Sequence, residues 1–463
     1  MQRLLLTLWM LLSVWVSSMY AIDRIALRDS ILKAVNGAQI PQRKISISQF
    51  GAKGDSATNC YRAFVKAMRY AQKNGPVRIV IPEGVWLVGG PIHLVSGITL
   101  EISKNAKLMF TGQPKNYLPA VSTSWEGTLL WNYSPFIYGY GLHDVAIVGQ
   151  GVIDGGTAAE TFSEWSKCQG KDQNSSREWN HRGEPLEQRL MGAGHFLRPQ
   201  LIQLYRCERV TLSSVYINRS PFWCIHMLQC KNVRLRGLRC KARLTNNDGI
   251  DIESSQGVLI EDIRFDNGDD NVAIKSGRDN DGWTMGGPSR DILIRLCRFK
   301  GLHGVVIGSE MSGGVENVII ENCTYAGYVK RGIFVKTNPD RGGYVRNLWV
   351  NNVRFGEVLD LFYVTSMYAG QGIGNNHFST IENIHVDSLS ARNVTGNALV
   401  LQGTPQRHIR NVSFSHIDVK QAARGVSFEF TEPALVSDCF IGLKVEAPSV
   451  ASESDRIFEK NDQ

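Results

Sequence analysis

The 463-residue chain is predicted to be an all-β protein that folds as a single-stranded parallel β-helix, a solenoid whose coils stack on one another. Strand-like segments rich in β-branched residues recur at intervals of 23 to 36 residues. They begin at Val210, Val233, Val258, Ile292, Val318, Leu348, Ile384 and Val412. Because the stretches between them lack amphipathic helical periodicity, leucine-rich, ankyrin and helical repeats are disfavoured.

A second strand in each coil carries many of the ionisable residues. Four segments share one seven-residue frame, in which the third and fifth residues are apolar, and they begin at Asp248, Asp270, His303 and Arg331. This alternation is typical of a strand with one buried face, and parallel stacking would place neighbouring strands about 4.7–4.9 Å apart. One register then holds these four first residues, and a second register holds Glu253, Lys275 and Lys336. The pattern predicts an active site on this face.

The first 21 residues are predicted to be a secretion signal. Arg3 is followed by a largely apolar run from Leu4 to Val16, which is too short to span a membrane, and by small residues that end near Ala21. We therefore expect a secreted or periplasmic protein. Residues 22–463 are expected to form one catalytic β-helix domain, with core coils over about 45–445. No later run of about 18 apolar residues occurs, so membrane insertion is not expected.

Three further regions are expected around the stack of coils. Residues 63–71 have helical spacing and are predicted to form an N-terminal helix that caps the open end of the solenoid. Residues 157–199 are polar and too long for a turn, so we interpret them as an insertion over one rim of the site. Loops 278–290 and 366–380 are expected to leave the stack on its binding face.

Composition narrows the range of partners and cofactors. The formal net charge is +8, which favours attraction of an acidic polymer. The alternative interpretation is that this positive charge only aids solubility. Nucleic acid is not an expected partner, because the chain has no recognised nucleic-acid-binding motif and no dense basic tract. The nine cysteines show no CxxC pair and no regular metal-ligand spacing, so metal binding by cysteines is not expected.

Acidic residues in and beside the frame predict acid–base chemistry. Asp248, Asp269 and Asp270 would lie within several ångströms of one another, and mutual repulsion would keep one of them protonated more easily. Such a cluster can supply a general acid and a general base together. His303 follows in the same register and could hold the protonation and orientation of the acid, although a lone histidine is usually structural.

Residues near this cluster are candidates for substrate binding. Lys336 and Arg331 could anchor the carboxylate of an anionic sugar, and their alternative role is ordinary solvated surface. Asn246 could contact substrate, or it could merely cap a turn by binding backbone N–H groups.

At these residues the chain resembles the family 28 glycoside hydrolases, the polygalacturonase-like enzymes that degrade pectin. The family's Asn-Thr-Asp motif is matched by Asn246–Asp248, its Asp-Asp pair by Asp269–Asp270 and its Gly-His-Gly by Leu302–Gly304. The likeness extends from about residue 45 to residue 430, with supporting segments that include 50–55 and 221–226. The resemblance implies a right-handed parallel β-helix.

One motif departs from the family pattern. Where the family has Arg-Ile-Lys, the chain has Phe334, Val335 and Lys336, so the lysine is kept and the arginine is replaced. In the family that arginine helps to bind a galacturonate carboxylate. We expect either that Arg331 substitutes for it or that a neutral sugar packs on the ring of Phe334. The second reading favours rhamnogalacturonan or another decorated pectin fragment.

The resemblance also implies metal-independent hydrolysis with inversion at the anomeric carbon. By this analogy Asp269 protonates the leaving oxygen, while Asp248 and Asp270 hold and activate the attacking water. His303 would support the acid, and Lys336 would bind substrate. The expected substrate is an acidic plant cell-wall polysaccharide or oligosaccharide.

The insertions could close one end of the groove, which favours attack at chain ends, and a monomer is expected. Two alternatives stay open. A calcium-dependent pectate-type lyase would use the acidic cluster as a metal site, but His303 within that cluster argues against it. A β-helical glycan-binding protein without catalysis would require the cluster to be incidental.

Overall fold

The computed structural model describes residues 23–368, 374 and 376–444. The predicted secretion signal lies outside the described residues, and so does part of the predicted loop 366–380. Among the described residues the coils form a right-handed parallel β-helix, as predicted. Parallel neighbours need a connection that returns the chain to the same end, and each coil of the solenoid supplies it.

Three parallel sheets form the faces of the helix, numbered in the order in which a coil visits them. Sheet 1 contains β1 (Lys44–Ser46), β3 (Val77–Ile81), β6 (Ile98–Ile102), β11 (His143–Gly149), β15 (Glu208–Ser213), β18 (Lys231–Arg236), β21 (Gln256–Glu261), β23 (Ser289–Arg295) and β30 (Leu435–Ser437). Sheet 2 contains β2 (Asp55–Asn59), β4 (Gly84–Val88), β7 (Ala106–Phe110), β12 (Val152–Asp154), β16 (Tyr216–Asn218), β19 (Arg239–Ala242), β24 (Arg298–Phe299) and β31 (Phe440–Leu443).

Sheet 3 carries the candidate site. It contains β5 (Ile92–His93), β10 (Ile137–Tyr140), β14 (Ile202–Tyr205), β17 (Ile225–Leu228), β20 (Ile250–Glu253) and β25 (Gly301–Gly308). Later strands bend from one sheet into the next without a break. They are β22 (Arg264–Lys275), which joins sheets 2 and 3, and β26 (Val315–Lys336), β27 (Tyr344–Thr365), β28 (Thr380–Gln402) and β29 (Arg410–Glu429), which pass through all three.

The register confirms the repeat predicted from the sequence. The eight predicted strand starts, from Val210 to Val412, lie side by side in one row of sheet 1. All eight side chains are buried in the core between the sheets. Burying one such aliphatic side chain contributes about 1.5–3 kcal/mol. A slip of one residue would turn the whole row outward, so the register is strongly specified.

Helices cover the N-terminal end and part of the outer surface. The predicted capping helix is confirmed as α2 (Tyr61–Asn74), whose residues Phe64, Ala67 and Met68 join the core. A helix without a sequence signal of its own, α1 (23–34), packs through Ile31 on outward residues of sheet 1 such as Leu293. None of the described helices is long and apolar enough to cross a membrane.

The insertion over residues 157–199 folds into helices and a short strand. It contains α3 (Gly156–Ser163), α4 (Gly170–Arg182) and β13 (Leu190–Met191). β13 extends a small separate sheet formed by β8 (Val121–Trp125) and β9 (Thr128–Asn132). Short 3-10 helices cover Ile47–Phe50, Pro114–Tyr117, Glu164–Lys167 and Leu186–Gln188.

The loop 278–290 leaves the stack as expected and packs against this insertion. It contains α5 (Asp279–Thr284). Arg189 and Asp281 form a fully buried ion pair of 2.7 Å, which ties the insertion to the loop. The insertion, the small sheet and α5 are called the wall below.

Candidate active site

The candidate site lies on the outer side of sheet 3. Because side chains alternate along a strand, Ile250 and Ile252 enter the core while Asp251 and Glu253 point away from it. Asp251 lies in a row of outward positions that pairs with His226 in the preceding strand and continues through Ala273, Val306 and Phe334 in the next three strands. This row is the floor of the site.

Successive strands of sheet 3 bring the first residues of the predicted frame together. His303 pairs in register with Asp270 on one side and with Arg331 on the other. The following coil places Asp360 beside Arg331. Ile250 pairs with Val272, so Asp248 and Asp270, each two residues earlier, are equivalent positions. The predicted register is thus confirmed.

Asp270 is the most strongly bound carboxylate of the cluster. His303 Nδ1 lies 2.7 Å from one of its oxygens, and Lys336 Nζ lies 3.2 Å from the other. Burial favours the protonated form, but the charges of Lys336 and His303 outweigh burial and hold the pKa of Asp270 well below its ordinary value. Asp270 is therefore an ionised carboxylate and can act as a base.

Asp248 has the opposite properties. The residue is 3% exposed, and burial together with the charges of Asp251, Asp269 and Asp270 raises the pKa of Asp248 well above its ordinary value. Asp248 therefore keeps a proton under conditions in which Asp270 has lost one. Asp248 and Asp270 thus differ in protonation although they occupy equivalent positions in neighbouring strands.

Asp269 is the member of the cluster that is open to solvent, with 26% of its side chain exposed. His303 Nδ1 lies 3.6 Å from an oxygen of Asp269, so the ring is nearer to Asp270 than to Asp269. Burial lowers the pKa of His303, but its hydrogen bond to Asp270 and the nearby carboxyl of Asp269 prevail and raise the pKa. The imidazole can therefore act on both carboxyl groups.

Asn246 contacts Asp269 from the preceding turn. Its Nδ2 lies 3.4 Å from Asp269 Oδ2, and its Oδ1 accepts a 2.6 Å hydrogen bond from Arg198. Arg198 is fully buried and also donates to Gln169 Oε1 and to the carbonyl of Thr245. Because the guanidinium holds the amide oxygen, the N–H groups of Asn246 must face the other way, toward Asp269.

The two cations proposed for substrate binding have partners inside the protein. Lys336 is bound to Asp270, as described. Burial lowers the pKa of Lys336, but the negative charge of Asp270 outweighs burial and raises it above the ordinary value. Arg331 forms an ion pair with Asp360. Phe334 is only 6% exposed, and its ring meets those of His303 and Tyr363 edge-on.

A metal ion is the other chemistry that this cluster could support. Carboxylate and imidazole atoms of Asp269, Asp270 and His303 all lie within 4.8 Å of one another, close enough to share a cation. However, the ammonium of Lys336 already binds Asp270, and its charge opposes a divalent ion at the same place. The residues therefore fit an acid–base cluster better than a metal centre.

Asp251 and Arg198 are functional candidates that were not among the site residues predicted from the sequence. Asp251 is fully buried, neither of its oxygens has a hydrogen-bond partner among the described residues, and burial raises its pKa well above the ordinary value. Its position between Ile250 and Ile252 was a usable signal, because alternation turns it to the same side as Glu253. Arg198 lies outside every repeat and gives no such signal.

A second ionic group connects sheet 3 to the wall. Glu310 accepts hydrogen bonds from Lys275 at 3.1 Å and from Arg278 at 2.7 Å. Burial opposes ionisation, but these cations and Arg341 hold the pKa of Glu310 well below its ordinary value. Arg278 also reaches Glu126, in the turn between β8 and β9, at 3.7 Å. The wall is thereby fixed beside the floor of the site.

The chain is similar to known proteins along most of its length. The family model described as glycosyl hydrolases family 28 matches residues 189–434. A probable polygalacturonase of Vitis vinifera is 29% identical over 421 residues, which cover 87% of this chain and 79% of that protein. A solved exopolygalacturonase from Thermotoga maritima is 36% identical with a TM-score of 0.82, covering 89% of this chain and 96% of that one. The polygalacturonase from Erwinia carotovora ssp. carotovora, at 19% identity and a TM-score of 0.66, covers 86% and 99% of the two chains and is alike in fold.

Proposed function

The chain belongs to family 28 of the glycosyl hydrolases, and from this membership we propose that it hydrolyses glycosidic bonds in pectic polysaccharides or oligosaccharides of the galacturonan or rhamnogalacturonan type. The observation that carries the proposal is the cluster in which Asp269, Asp270 and His303 place their polar atoms within 4.8 Å. The names of the Vitis vinifera and Thermotoga maritima relatives support a pectic substrate.

In the proposed reaction the roles follow from exposure and charge. Asp269 protonates the leaving oxygen, because it is the carboxyl that a bound sugar can reach. Asp270, kept ionised by Lys336 and His303, takes a proton from a water molecule whose oxygen attacks the anomeric carbon. Asp248 keeps its own proton and orients that water. The bond to the leaving oxygen breaks as the bond to water forms, so one displacement inverts the configuration.

Other residues of the site position these groups or the substrate. Lys336 holds Asp270 ionised and lies beside the bound sugar. Asn246, oriented by Arg198, steadies Asp269. Phe334 and Arg331 line the groove on the side of the later coils. No metal or organic cofactor has a role in the proposed reaction.

We propose that the enzyme attacks the ends of its polymer. The wall covers the floor of sheet 3 on the side of the earlier coils, where Thr123 donates a 2.7 Å hydrogen bond to Gln203 and Ser124 lies 3.2 Å from Glu253. A groove covered at one end cannot let a long chain pass through. The Thermotoga maritima relative, named an exopolygalacturonase, supports the same mode of attack.

The size of early products tests this mode. An exo-acting enzyme releases short products while the average length of a long homogalacturonan falls slowly. A rapid fall in chain length at low conversion would show that the groove accepts internal bonds, and would remove the proposal of end attack.

The remaining parts of the proposal concern the molecule as a whole. The formal charge of +8 suits an acidic polymer as partner. We propose a secreted or periplasmic monomer whose signal ends near residue 21 and whose single catalytic domain covers residues 22–463.

Reducing-end release from homogalacturonan, rhamnogalacturonan and short oligogalacturonides, measured in EDTA, tests the proposed hydrolysis. We expect reducing ends to be released as fast in EDTA as in its absence. We expect none of the unsaturated products that a lyase forms. Activity that disappears in EDTA and returns with calcium would support the pectate-type lyase instead. Folded protein that releases nothing from any pectic substrate would support a glycan-binding protein.

A further inference from the structure

Aromatic side chains lie directly beside the candidate catalytic cluster, on the side of the later coils. Phe334 pairs in register with Val306 and with Tyr363, so the ring continues the floor of the site. Phe334, Tyr363 and Tyr368 are called the aromatic group. We propose that this group binds a sugar whose C6 substituent is uncharged and apolar, as in a 6-deoxyhexose or a methyl-esterified galacturonate. This inference rests on the proposed function and specifies the sugar accepted at one position of that groove.

Within the aromatic group, the rings of Tyr363 and Tyr368 stand roughly perpendicular to the ring of Phe334. The Phe334 ring centroid lies 5.6 Å from that of Tyr363 and 6.2 Å from that of Tyr368, with interplanar angles of 87° and 72°. Phe334 is 6% exposed, whereas Tyr368 is 38% exposed. Edge-to-face packing of this kind fixes the rings relative to one another. A ligand therefore meets a preformed apolar surface rather than single mobile side chains.

The aromatic group contacts the catalytic cluster through the rings of Phe334 and His303. The His303 ring lies 6.1 Å from Phe334, and the same imidazole binds Asp270 at 2.7 Å. A sugar that contacts the aromatic group is therefore a direct neighbour of the bond that the cluster cleaves. Its substituents influence the rate and not only the affinity.

The two cations that contact these rings are already neutralised. Arg331 lies 5.8 Å from the centroid of Phe334 and 4.8 Å from that of Tyr363, and it forms an ion pair with Asp360. Asp360 is held in place by the backbone N–H of Asn397 at 2.7 Å and by its side-chain amide at 2.8 Å. Arg331 therefore has a fixed partner.

Lys336 is neutralised in the same way by Asp270, at 3.2 Å, and lies 5.5 Å from the centroids of both Phe334 and Tyr368. A substrate carboxylate at the aromatic group would have to compete with Asp270 for this ammonium. It would also face the negative charge of Asp270 itself, which the reaction needs.

The balance of these interactions favours an uncharged sugar. A free carboxylate would lose its hydration against aromatic carbon, and the two cations described there, Arg331 and Lys336, are already paired. A methyl group would instead bury apolar surface. A single methyl-sized difference in an apolar pocket discriminates by about 10–200-fold. We expect a preference in this range for the uncharged sugar.

Defined oligosaccharides of equal length test the inference. The kcat/KM values are compared for an unesterified oligogalacturonide, its fully methyl-esterified form and an oligomer of alternating rhamnose and galacturonate. We expect at least about tenfold faster cleavage of one of the last two than of the unesterified form. Preference for the esterified form identifies the methyl ester as the group recognised, and preference for the alternating oligomer identifies the 6-deoxyhexose.

Variants assign the preference to the aromatic group. Phe334→Arg supplies a new cation and is expected to shift the preference toward the unesterified form. The matched substitution Phe440→Arg, at a residue 59% exposed in the last coil, is expected to leave it unchanged. If Phe334→Arg does not fold, Tyr368→Ala at the exposed edge is expected to reduce the preference.

The outcomes separate this inference from the proposed function. A wild-type enzyme that cleaves the unesterified form fastest overturns the inference and leaves the hydrolase proposal intact. A folded Phe334→Arg enzyme with the wild-type preference overturns it as well. Silence on all three substrates removes the proposed function, and the inference with it.

Discussion

Replacing Lys336 by methionine removes the charge that stabilises the proposed base in its ionised form. Lys336 Nζ lies 3.2 Å from Asp270 Oδ2, and the two side chains are 10% and 2% exposed. Methionine has a similar length and is apolar, so it fills much of the same space. The change therefore acts mainly through charge.

The size of the effect follows from this geometry. At 3.2 Å, an effective dielectric constant of about 20 gives an attraction of about 5 kcal/mol. Desolvation of the buried ions offsets part of this energy, and the 2.7 Å hydrogen bond from His303 still favours ionised Asp270. We therefore expect the pKa of Asp270 to rise by about 1 to 3. Because the base must be ionised, the acidic limb of the pH–rate profile moves toward neutral pH by the same amount.

The assay is kcat/KM on a pectic oligosaccharide as a function of pH. Lys336→Arg keeps the charge and is expected to keep the acidic limb near its wild-type position. Lys420→Met is the matched control, because its pair with Asp418 is exposed. The reasoning is refuted if Lys336→Met lowers the rate equally at every pH, because Lys336 would then act only on substrate.

Three further predictions concern the same cluster and its surroundings. Arg198→Met frees the amide of Asn246 and is expected to lower kcat about 10²-fold with little change in KM. The half-buried ion pair between Arg209 and Asp144, on sheet 1, supplies the control Arg209→Met, and a change confined to KM would contradict a positioning role. Time-resolved NMR is expected to show a first product whose anomeric configuration is opposite to that of the cleaved bond. Retention would rule out the single displacement. Asp251→Asn is expected to stabilise the fold by about 1–3 kcal/mol near pH 7, since it removes a buried carboxyl whose oxygens lack partners among the described residues. Because the folded-state pKa of Asp251 is raised, wild type loses stability as pH rises above the ordinary aspartate value of about 3.9. The gain in melting temperature should therefore vanish below about pH 4, and a gain that persists there would contradict this origin.

The solenoid could be predicted because its sequence repeats a physical constraint. Every coil must bury the same inward positions, and a slip by one residue would place charged side chains in the core. Val210 and its seven successors therefore align in both sequence and structure. The same constraint puts Asp270, His303 and Arg331 in one row.

The partners of these residues could not be predicted in the same way. In the sequence Lys336 and Arg331 are two similar cations, but one binds Asp270 and the other binds Asp360. Register places residues side by side and does not choose between competing side-chain contacts.

The contacts of the insertion could not be predicted from the sequence either. Arg198 forms a hydrogen bond with Asn246, and Arg189 forms an ion pair with Asp281. These residues lie in segments whose sequences do not repeat. Tertiary packing alone brings such segments together. The rim position of the insertion was an expectation from length, whereas its role in orienting Asn246 is known only from the structure.

The most direct test of the acid–base cluster is the activity of Asp269→Asn on the best pectic substrate. The amide keeps the shape of the side chain and cannot donate the catalytic proton as an acid does. Asp418→Asn, at an exposed site in the later coils, is the matched control. We predict a fall in kcat/KM of about 10²–10⁴ for folded Asp269→Asn and wild-type activity for the control. A folded Asp269→Asn enzyme that keeps more than about a tenth of wild-type activity would contradict the assignment of Asp269 as the acid.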